Sequence, residues 1–308
     1  MKANYIEAYG GASAVKFGEL PAPTAGPDDV LVAVKAASVN PIDWKIREGY
    51  LKANLALKFP YVLGRDFSGV VTGAGANVRD FAAGDEVFGV VDGMRGGAHG
   101  EVLATGQDLI AKKPKSLDHV AAASLPLAAA TAMISLDDTG KLKSGERILI
   151  HGGTGAVGAV AVQFAKALGA WVAATAGRAN LARLKELGAD LAIDYDAEDF
   201  TTRVKDLDLV YDTVGGEVHR RSQAVLRPGG RLVYISAAPL PQGEPRAGIT
   251  IARADIRGKR PLFERLARLV DEGKIKPQVG RVMKLSEASQ AYEMSRTGVR
   301  GKIVLTAA

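Results

Sequence analysis

Up to about residue 120 the apolar positions fall in short blocks, Val30–Val39, Ser68–Thr72, Glu86–Val91 and Glu101–Ala104, separated by turn residues and rich in valine, glycine and proline. Blocks of that length and punctuation predict a mostly β region. Near residue 122 the rhythm changes. Strand-like runs at Arg147–Ile150, Trp171–Thr175, Leu191–Ile193, Leu207–Asp212 and Arg231–Ile235 now alternate with helical stretches at Ala156–Leu168, Leu181–Leu187 and Glu217–Leu226. This alternation predicts an α/β fold with a parallel sheet covered on both faces. Gly188-Ala189-Asp190 and Gly229-Gly230 punctuate helix ends as C-terminal caps do. After Pro239 the pattern loosens, with a strand expected at Ile249–Ala252, helices near Pro261–Asp271 and Leu285–Ser295, and a last strand at Lys302–Leu305. There is no internal repeat and no low-complexity linker.

The chemistry is concentrated where the first of the alternating strands ends. Ile148-Leu149-Ile150 runs into His151-Gly152-Gly153-Thr154-Gly155-Ala156-Val157-Gly158, in which Gly153, Gly155 and Gly158 fit G-x-G-x-x-G. In a dinucleotide site these glycines make the tight turn, let the backbone approach a pyrophosphate and allow the helix to pack closely on the sheet. Free N–H groups at the positive end of the following helix then face the phosphates, so no lysine is required. Roughly twenty residues further on, an NAD enzyme carries Asp or Glu for the ribose 2′-hydroxyl. Here the sequence reads Ala176-Gly177-Arg178-Ala179-Asn180. No carboxylate stands there to repel a 2′-phosphate, and Arg178 can pair with one, so NADP(H) is favoured over NAD(H).

Composition narrows the classes. A chain of 308 residues exceeds one average domain and suggests two. The net charge of +6 is mild, and the densest basic segment, Arg253 to Arg268, also contains Asp255 and Glu264. It reads as a solvated face rather than a nucleic-acid stripe. No cysteine is present, which excludes disulfides and thiolate chemistry and removes the commonest ligands of structural zinc. The N-terminal residues lack the apolar core of a signal peptide, making the cytoplasm the expected compartment. Two long uncharged runs, Val120–Leu136 and Ile148–Ala165, contain Pro126 and the glycine turn respectively. Both suit buried segments better than membrane spans.

Several blocks in order carry a resemblance. They are Asn40-Pro41-Ile42-Asp43-Trp44-Lys45-Ile46-Arg47-Glu48-Gly49, Pro60-Tyr61-Val62-Leu63-Gly64-Arg65-Asp66-Phe67-Ser68-Gly69-Val70-Val71, Gly84-Asp85-Glu86-Val87-Phe88-Gly89, Leu187-Gly188-Ala189-Asp190 leading to Ile193-Asp194-Tyr195, Asp212-Thr213-Val214-Gly215-Gly216 and Gly301-Lys302-Ile303-Val304-Leu305. With them the chain resembles, over essentially its whole length, the medium-chain dehydrogenase/reductase superfamily in its quinone-oxidoreductase, zeta-crystallin-like branch. The resemblance implies a Rossmann doubly wound parallel sheet domain at residues 122–249. It also implies a mostly β GroES-like catalytic domain made of residues 1–121 and 250–308. The short-chain dehydrogenases are a poor match, because none of the eight tyrosines is followed four positions later by lysine.

By the same resemblance, zinc-dependent members carry a cysteine near the position of Asp43 and Gly-His-Glu where this chain has Gly64-Arg65-Asp66. Those ligands are absent, and His99, His119, His151 and His219 are scattered, so no metal is expected. Hydride delivery to a simple ketone builds charge on one oxygen, where a Lewis acid helps most. A quinone, or an alkene conjugated to a carbonyl, spreads that charge instead. The expected activity is therefore zinc-free hydride transfer from NADPH to a quinone or an α,β-unsaturated carbonyl compound. The alternatives are an enoyl-thioester reductase, with a proton-donating tyrosine near Tyr50 or Tyr61, and a non-catalytic NADPH-binding or sensor protein.

Candidate catalytic residues are Asn40, Asp43, Lys45 and Tyr50. Asn40 as N-cap, Pro41 at the first helical position and Asp43 in the first turn are also how an ordinary helix begins; the resemblance sets Asn40 and Asp43 beside the nicotinamide. Lys45 and Tyr50 are the nearest donors for a developing enolate or hydroquinone anion, and Arg65 either orients an acceptor or pairs with a nearby carboxylate. For the cofactor, the resemblance assigns Thr131 to the nicotinamide half, Gly153, Thr154, Gly155, Ala156 and Val157 to the pyrophosphate, and Arg178 with Tyr195 to the 2′-phosphate. Val214, Ser236, Ala237, Ile251 and Arg253 complete the set. A homodimer joined through the edge strand Arg231–Ile235 or its neighbour is implied, with a small-molecule substrate and neither nucleic acid nor membrane as partner.

Overall fold

The computed structural model describes residues 1–235 and 246–307. Ser236 and Ala237 therefore lie outside the described residues. The first stretch holds β1 (Lys2–Ile6), β2 (Lys16–Glu19), β3 (Asp29–Ser38), α1 (Pro41–Arg47), β4 (Tyr61–Val62), β5 (Asp66–Ala74), β6 (Glu86–Val90), β7 (Val102–Gly106), β8 (Ile110–Lys112) and α2 (His119–Ala123). Next come α3 (Pro126–Met133), β9 (Arg147–Ile150), α4 (Ala156–Ala167), β10 (Trp171–Ala176), α5 (Leu181–Glu186), β11 (Leu191–Asp194), α6 (Phe200–Arg203), β12 (Leu207–Asp212), α7 (Glu217–Ser222), β13 (Leu226–Tyr234) and β14 (Thr250–Arg253). The chain then returns through α8 (Arg260–Asp271), β15 (Val279–Lys284), α9 (Ala288–Thr297) and β16 (Lys302–Thr306).

Two compact units result, one of residues 1–127, 258–272 and 277–308, the other of residues 128–257 and 273–276. The expected divisions near 121 and 250 differ from these. α2 packs on the strands of the first unit, and β14 pairs in parallel with β13, which draws the 250s into the second.

In the first unit a sheet of seven strands runs β15-β16-β3-β5-β6-β8, with β7 also pairing β3, and a small sheet orders β2-β1-β4. Alternate residues of the long strands, among them Val30, Val32, Val34, Phe67, Val71 and Val87, interdigitate in one core. A second core joins Ile46, Leu63, Leu285, Ala291, Tyr292 and Ile303. α1 begins as its residues dictate: Asn40 is extended (φ −124°, ψ 151°), Pro41 sits in the first turn, and the Asp43 carboxylate accepts the Asn40 N–H at 2.7 Å.

The second unit is a six-stranded parallel sheet in the order β11-β10-β9-β12-β13-β14. The order reverses between β9 and β12, and in open sheets of this kind ligands bind at the carboxyl ends of the strands beside such a reversal. β13 has β12 on one side and β14 on the other. The strand at Arg231–Ile235 is therefore internal, and its neighbour β14 forms the edge. The helix expected at Glu217–Leu226 stops at Ser222 and continues as a 3-10 turn, because Leu226 already begins β13.

Candidate functional site

The glycine loop joins β9 to α4 at the reversal point. Gly152, not Gly153, makes the tight turn, with φ +69°. Gly158 is fixed by close approach: a Cβ there would stand 2.1 Å from the Gly152 carbonyl oxygen. Gly155 precedes α4 and is exposed, with Thr154, Ala156 and Val157 half-buried around it. No side chain caps this helix end. The opening N–H groups of α4 therefore remain free for an anion.

Beneath the loop lies a polar chain that the sequence did not reveal. The Ser222 hydroxyl donates to the Val218 carbonyl at 2.6 Å, which leaves it to accept from His151 Nε2 at 3.0 Å. His151 Nδ1 then accepts from the Thr175 hydroxyl at 3.3 Å, and that hydroxyl accepts the Gly152 N–H at 3.2 Å. Burial pushes His151 down to about 4, so the ring is neutral, as this tautomer requires.

At the carboxyl end of β10, Arg178 is exposed and forms no ion pair among the described residues. Tyr195, 60% exposed, follows β11 and lies over Gly177, where a Cβ would come 3.0 Å from its hydroxyl. The structure thus brings Arg178 and Tyr195 to neighbouring strand ends. Asp196, unanticipated, stands at the same place, its Oδ2 3.6 Å from that Cβ position.

After β12, Asp212 Oδ1 accepts the N–H groups of Val214 and Gly215, each at 2.8 Å, and His219 Nδ1 holds Oδ2 at 3.0 Å. This turn presents Val214, 49% exposed. Thr131 is buried within α3. On β14, Ile251 packs against the sheet core and Arg253 is exposed.

In the first unit the four candidate catalytic residues separate into two pairs. Asn40 and Asp43 are buried, whereas Tyr50 is 68% exposed and stacks edge-on with Trp44, over which Lys45 also lies. The Asn40 amide is held by a group far away in sequence. Lys302 Nζ donates to Asn40 Oδ1 at 2.6 Å and to the Val39 carbonyl at 3.0 Å, and lies 3.5 Å from Asp66 Oδ2. Asn40 Nδ2 donates to the same Asp66 oxygen at 3.0 Å, and the Ser38 hydroxyl does so at 2.7 Å. Asp66 Oδ1 accepts the Leu127 N–H at 2.9 Å. Ser38, Asp66 and Lys302 were not anticipated as site residues. The one available signal was a lysine inside the apolar run Gly301-Lys302-Ile303-Val304-Leu305, which on both faces of a strand reads as buried.

Burial dominates the electrostatics here. It pushes Asp43 up to about 7, against the Asn40 N–H bond, and draws Lys302 below the usual lysine range. It also pushes His99 down to about 4; this ring lies between the Tyr292 hydroxyl and the Ser38 carbonyl. Arg65 donates through Nε to the Val91 carbonyl at 2.8 Å and pairs with no carboxylate among the described residues, contrary to one of the two roles expected for it.

The fit to zinc is poor by the chemistry of the donors. Asp66 has both oxygens engaged and an ammonium beside it, and no group of three or more His, Asp or Glu side chains among the described residues converges to hold a metal. The fit to a dinucleotide is good, since exposed Gly155 precedes a helix whose first N–H groups no side chain caps. No helix among the described residues is long and apolar enough to cross a membrane.

Comparison with known proteins agrees with this architecture. Residues 26–125 match the family model of the alcohol dehydrogenase GroES-like domain, and residues 187–305 match that of a zinc-binding dehydrogenase. The 2-methylene-furan-3-one reductase of Solanum lycopersicum is 36% identical, with 99% of this chain and 79% of that protein covered. The chloroplastic NADPH-dependent alkenal/one oxidoreductase of Arabidopsis thaliana is 34% identical, with 99% and 79% covered. The solved quinone oxidoreductase of Coxiella burnetii superposes with a TM-score of 0.89 at 33% identity, covering 100% of this chain and 99% of that one. The chain belongs to the medium-chain dehydrogenase/reductase superfamily, in its quinone-oxidoreductase branch. It is an NAD(P)H-dependent oxidoreductase of that family.

Proposed function

We propose that the protein reduces a quinone, or the β-carbon of an α,β-unsaturated carbonyl compound, at the expense of NADPH and without zinc. When bound, NADPH supplies a hydride from nicotinamide C4. The start of α4, with Gly153, Thr154, Gly155, Ala156 and Val157, binds the pyrophosphate through backbone N–H groups. Arg178 pairs with the 2′-phosphate, with Tyr195 alongside. An exposed guanidinium with no ion-pair partner among the described residues supports this assignment. Thr131, Val214, Ile251 and Arg253 serve the nicotinamide half, as the resemblance also assigns Ser236 and Ala237.

The observation that carries the reading is the commitment of Asp66. Both its oxygens are engaged, Oδ2 by Ser38, Asn40 and Lys302 and Oδ1 by the Leu127 N–H, so the acidic residue of the family's Gly-His-Glu stretch here fixes an amide, while Arg65 stands where the resemblance sets the zinc-binding histidine. Asn40 is thereby held in one orientation beside Asp43. A reaction centre built from hydrogen-bond donors suits an acceptor that delocalises its incoming charge. Half-buried Lys45 on α1 and exposed Tyr50 just after it are the candidate donors to that charge. A homodimer formed through the edge strand β14 is the assembly that the resemblance and the sheet order together support.

Deuterium tracing tests the reading. With NADPH deuterated at C4 and a short enone as acceptor, mass spectrometry should find the label on the β-carbon. Label on the carbonyl carbon would instead make the protein a ketone reductase.

A further inference from the structure

The peptide joining His151 to Gly152 is held from both sides. Its carbonyl accepts from the Thr213 hydroxyl at 2.7 Å, and its N–H donates to the Thr175 hydroxyl at 3.2 Å. Thr175 belongs to β10 and Thr213 follows β12, the two strands that flank β9. Hydroxyls from opposite neighbours therefore fix the plane of one peptide, where the strand turns into the glycine loop. The fit is close enough to require glycine at 152, since a Cβ there would stand 2.6 Å from the Thr213 hydroxyl oxygen.

The orientation of that peptide is passed on along the loop. The Gly152 carbonyl accepts the Gly155 N–H at 3.0 Å, and the same oxygen is the atom against which Gly158 packs. Rotating the 151–152 peptide moves this carbonyl and, with it, the start of α4. On the other side, Thr213 leads into the turn that Asp212 holds through the N–H groups of Val214 and Gly215.

His151 completes the arrangement. Thr175 is 2% exposed, so its hydroxyl proton needs an acceptor inside the protein, and His151 Nδ1 at 3.3 Å supplies it. The other ring nitrogen donates to Ser222, whose own proton goes to the Val218 carbonyl. Each proton of this chain has one place to go, from the Gly152 N–H at one end to a backbone carbonyl of α7 at the other. The Phe200 ring packs edge-on against the imidazole, with centroids 4.7 Å apart.

Given the glycine loop as the pyrophosphate site, the reading on which this rests, we propose that His151 is a positioning residue for the cofactor. Through Thr175, and together with Thr213, it holds the 151–152 peptide in the orientation that presents the opening N–H groups of α4 to the pyrophosphate. It also ties the glycine loop to the turn at Val214. The pyrophosphate is common to both nicotinamide nucleotides, so loss of this hold weakens NADPH and NADH alike, unlike loss of Arg178.

Isothermal titration of the whole protein with both nucleotides tests the assignment. Thr175→Val keeps the shape of the side chain and removes the hydroxyl; His151→Leu removes both ring nitrogens. Each should weaken both nucleotides by about tenfold or more, and by the same factor. The double variant should be no weaker than the worse single one, because the two residues act in one chain. His151→Asn, which keeps an acceptor near the place of Nδ1, should recover most of the loss, whereas His151→Gln, whose amide reaches toward Ser222, should not. Thr213→Val, on the other side of the peptide, should also weaken both nucleotides and carries the test if the buried histidine cannot be replaced. Additive losses, or equal recovery by Asn and Gln, overturn the proposal and make His151 a packing residue. Unchanged affinity in the folded variants while Gly158→Ala lowers it overturns the proposal and leaves the loop as the pyrophosphate site. Unchanged affinity in Gly158→Ala as well removes the loop from the pyrophosphate, and the positioning role with it.

Discussion

Lys302 Nζ donates a 2.6 Å hydrogen bond to Asn40 Oδ1 across 262 residues of chain, and both side chains are buried. Asp66 closes the triangle by accepting from the Asn40 amide and lying against the ammonium. Removing the lysine leaves a buried carboxylate without its charge partner. Lys302→Met should destabilise the fold by about 3–5 kcal/mol, and adding Asp66→Asn should restore part of that. Chemical denaturation of the two single variants and the double variant measures the coupling. In whatever fraction folds, kcat should fall roughly 10- to 100-fold through misplacement of Asn40 while NADPH affinity is unchanged.

Arg178 is exposed at the end of β10, where it is proposed to set the cofactor preference. Arg178→Ala should weaken NADPH binding by about 1.5–3 kcal/mol, the range of a charge-assisted hydrogen bond, and leave NADH binding nearly unchanged. Fluorescence titration with both nucleotides reads this directly. Equal losses for the two would remove the 2′-phosphate from Arg178.

Asp43 gives a pH dependence whose sign is unusual for a carboxylate. Its folded value of about 7 lies above the ordinary 3.8, so the folded state keeps a proton that the unfolded state has released. The associated stability is fully present below about pH 4 and is lost as the pH rises to 7. Relative to Asp43→Asn, the native protein should therefore lose about 1.4 kcal/mol per pH unit across that window and level off above it. His99 and His151, both pushed down to about 4 by burial, act in the opposite sense, because their contribution is present above pH 6.5 and lost toward pH 4. Comparing the two proteins largely cancels that background. Parallel stability curves would show that Asp43 is ionised in the folded protein.

Gly158 has no room for a side chain, since a Cβ would meet the Gly152 carbonyl at 2.1 Å. Gly158→Ala should displace the loop and reduce NADPH affinity at least tenfold, on the order of 1.4 kcal/mol. Gly11→Ala, where a Cβ meets nothing within 4 Å, should leave binding unchanged. Isothermal titration of the pair separates loop geometry from any general effect of replacing glycine.

The parallel sheet was legible because its strands are buried on both faces and read as continuous apolar runs between helices. The glycine loop was legible as a motif, though only the backbone shows that the turn falls at Gly152, one residue before the first fingerprint glycine. Strands with an exposed or very short pattern were not. β15 is exposed at every position but Met283, and β1 and β2 are four or five residues each. In the site, Asn40 and Asp43 were readable because the start of α1 is a local signal. Lys302, Asp66 and the Ser222–His151–Thr175 chain were not, because each gains its meaning from a partner distant in sequence.

NADPH oxidation by the chelator-treated protein, followed by absorbance against quinones, short enals, enones and enoyl thioesters with NADH in parallel, distinguishes a zinc-free reductase from the alternatives. Turnover should survive chelation, favour NADPH and be confined to quinones or conjugated carbonyls. Activity abolished by the chelator and restored by added zinc would contradict it. Tight NADPH binding without oxidation of any acceptor would also contradict it, and would leave a cofactor-binding protein in place of a reductase.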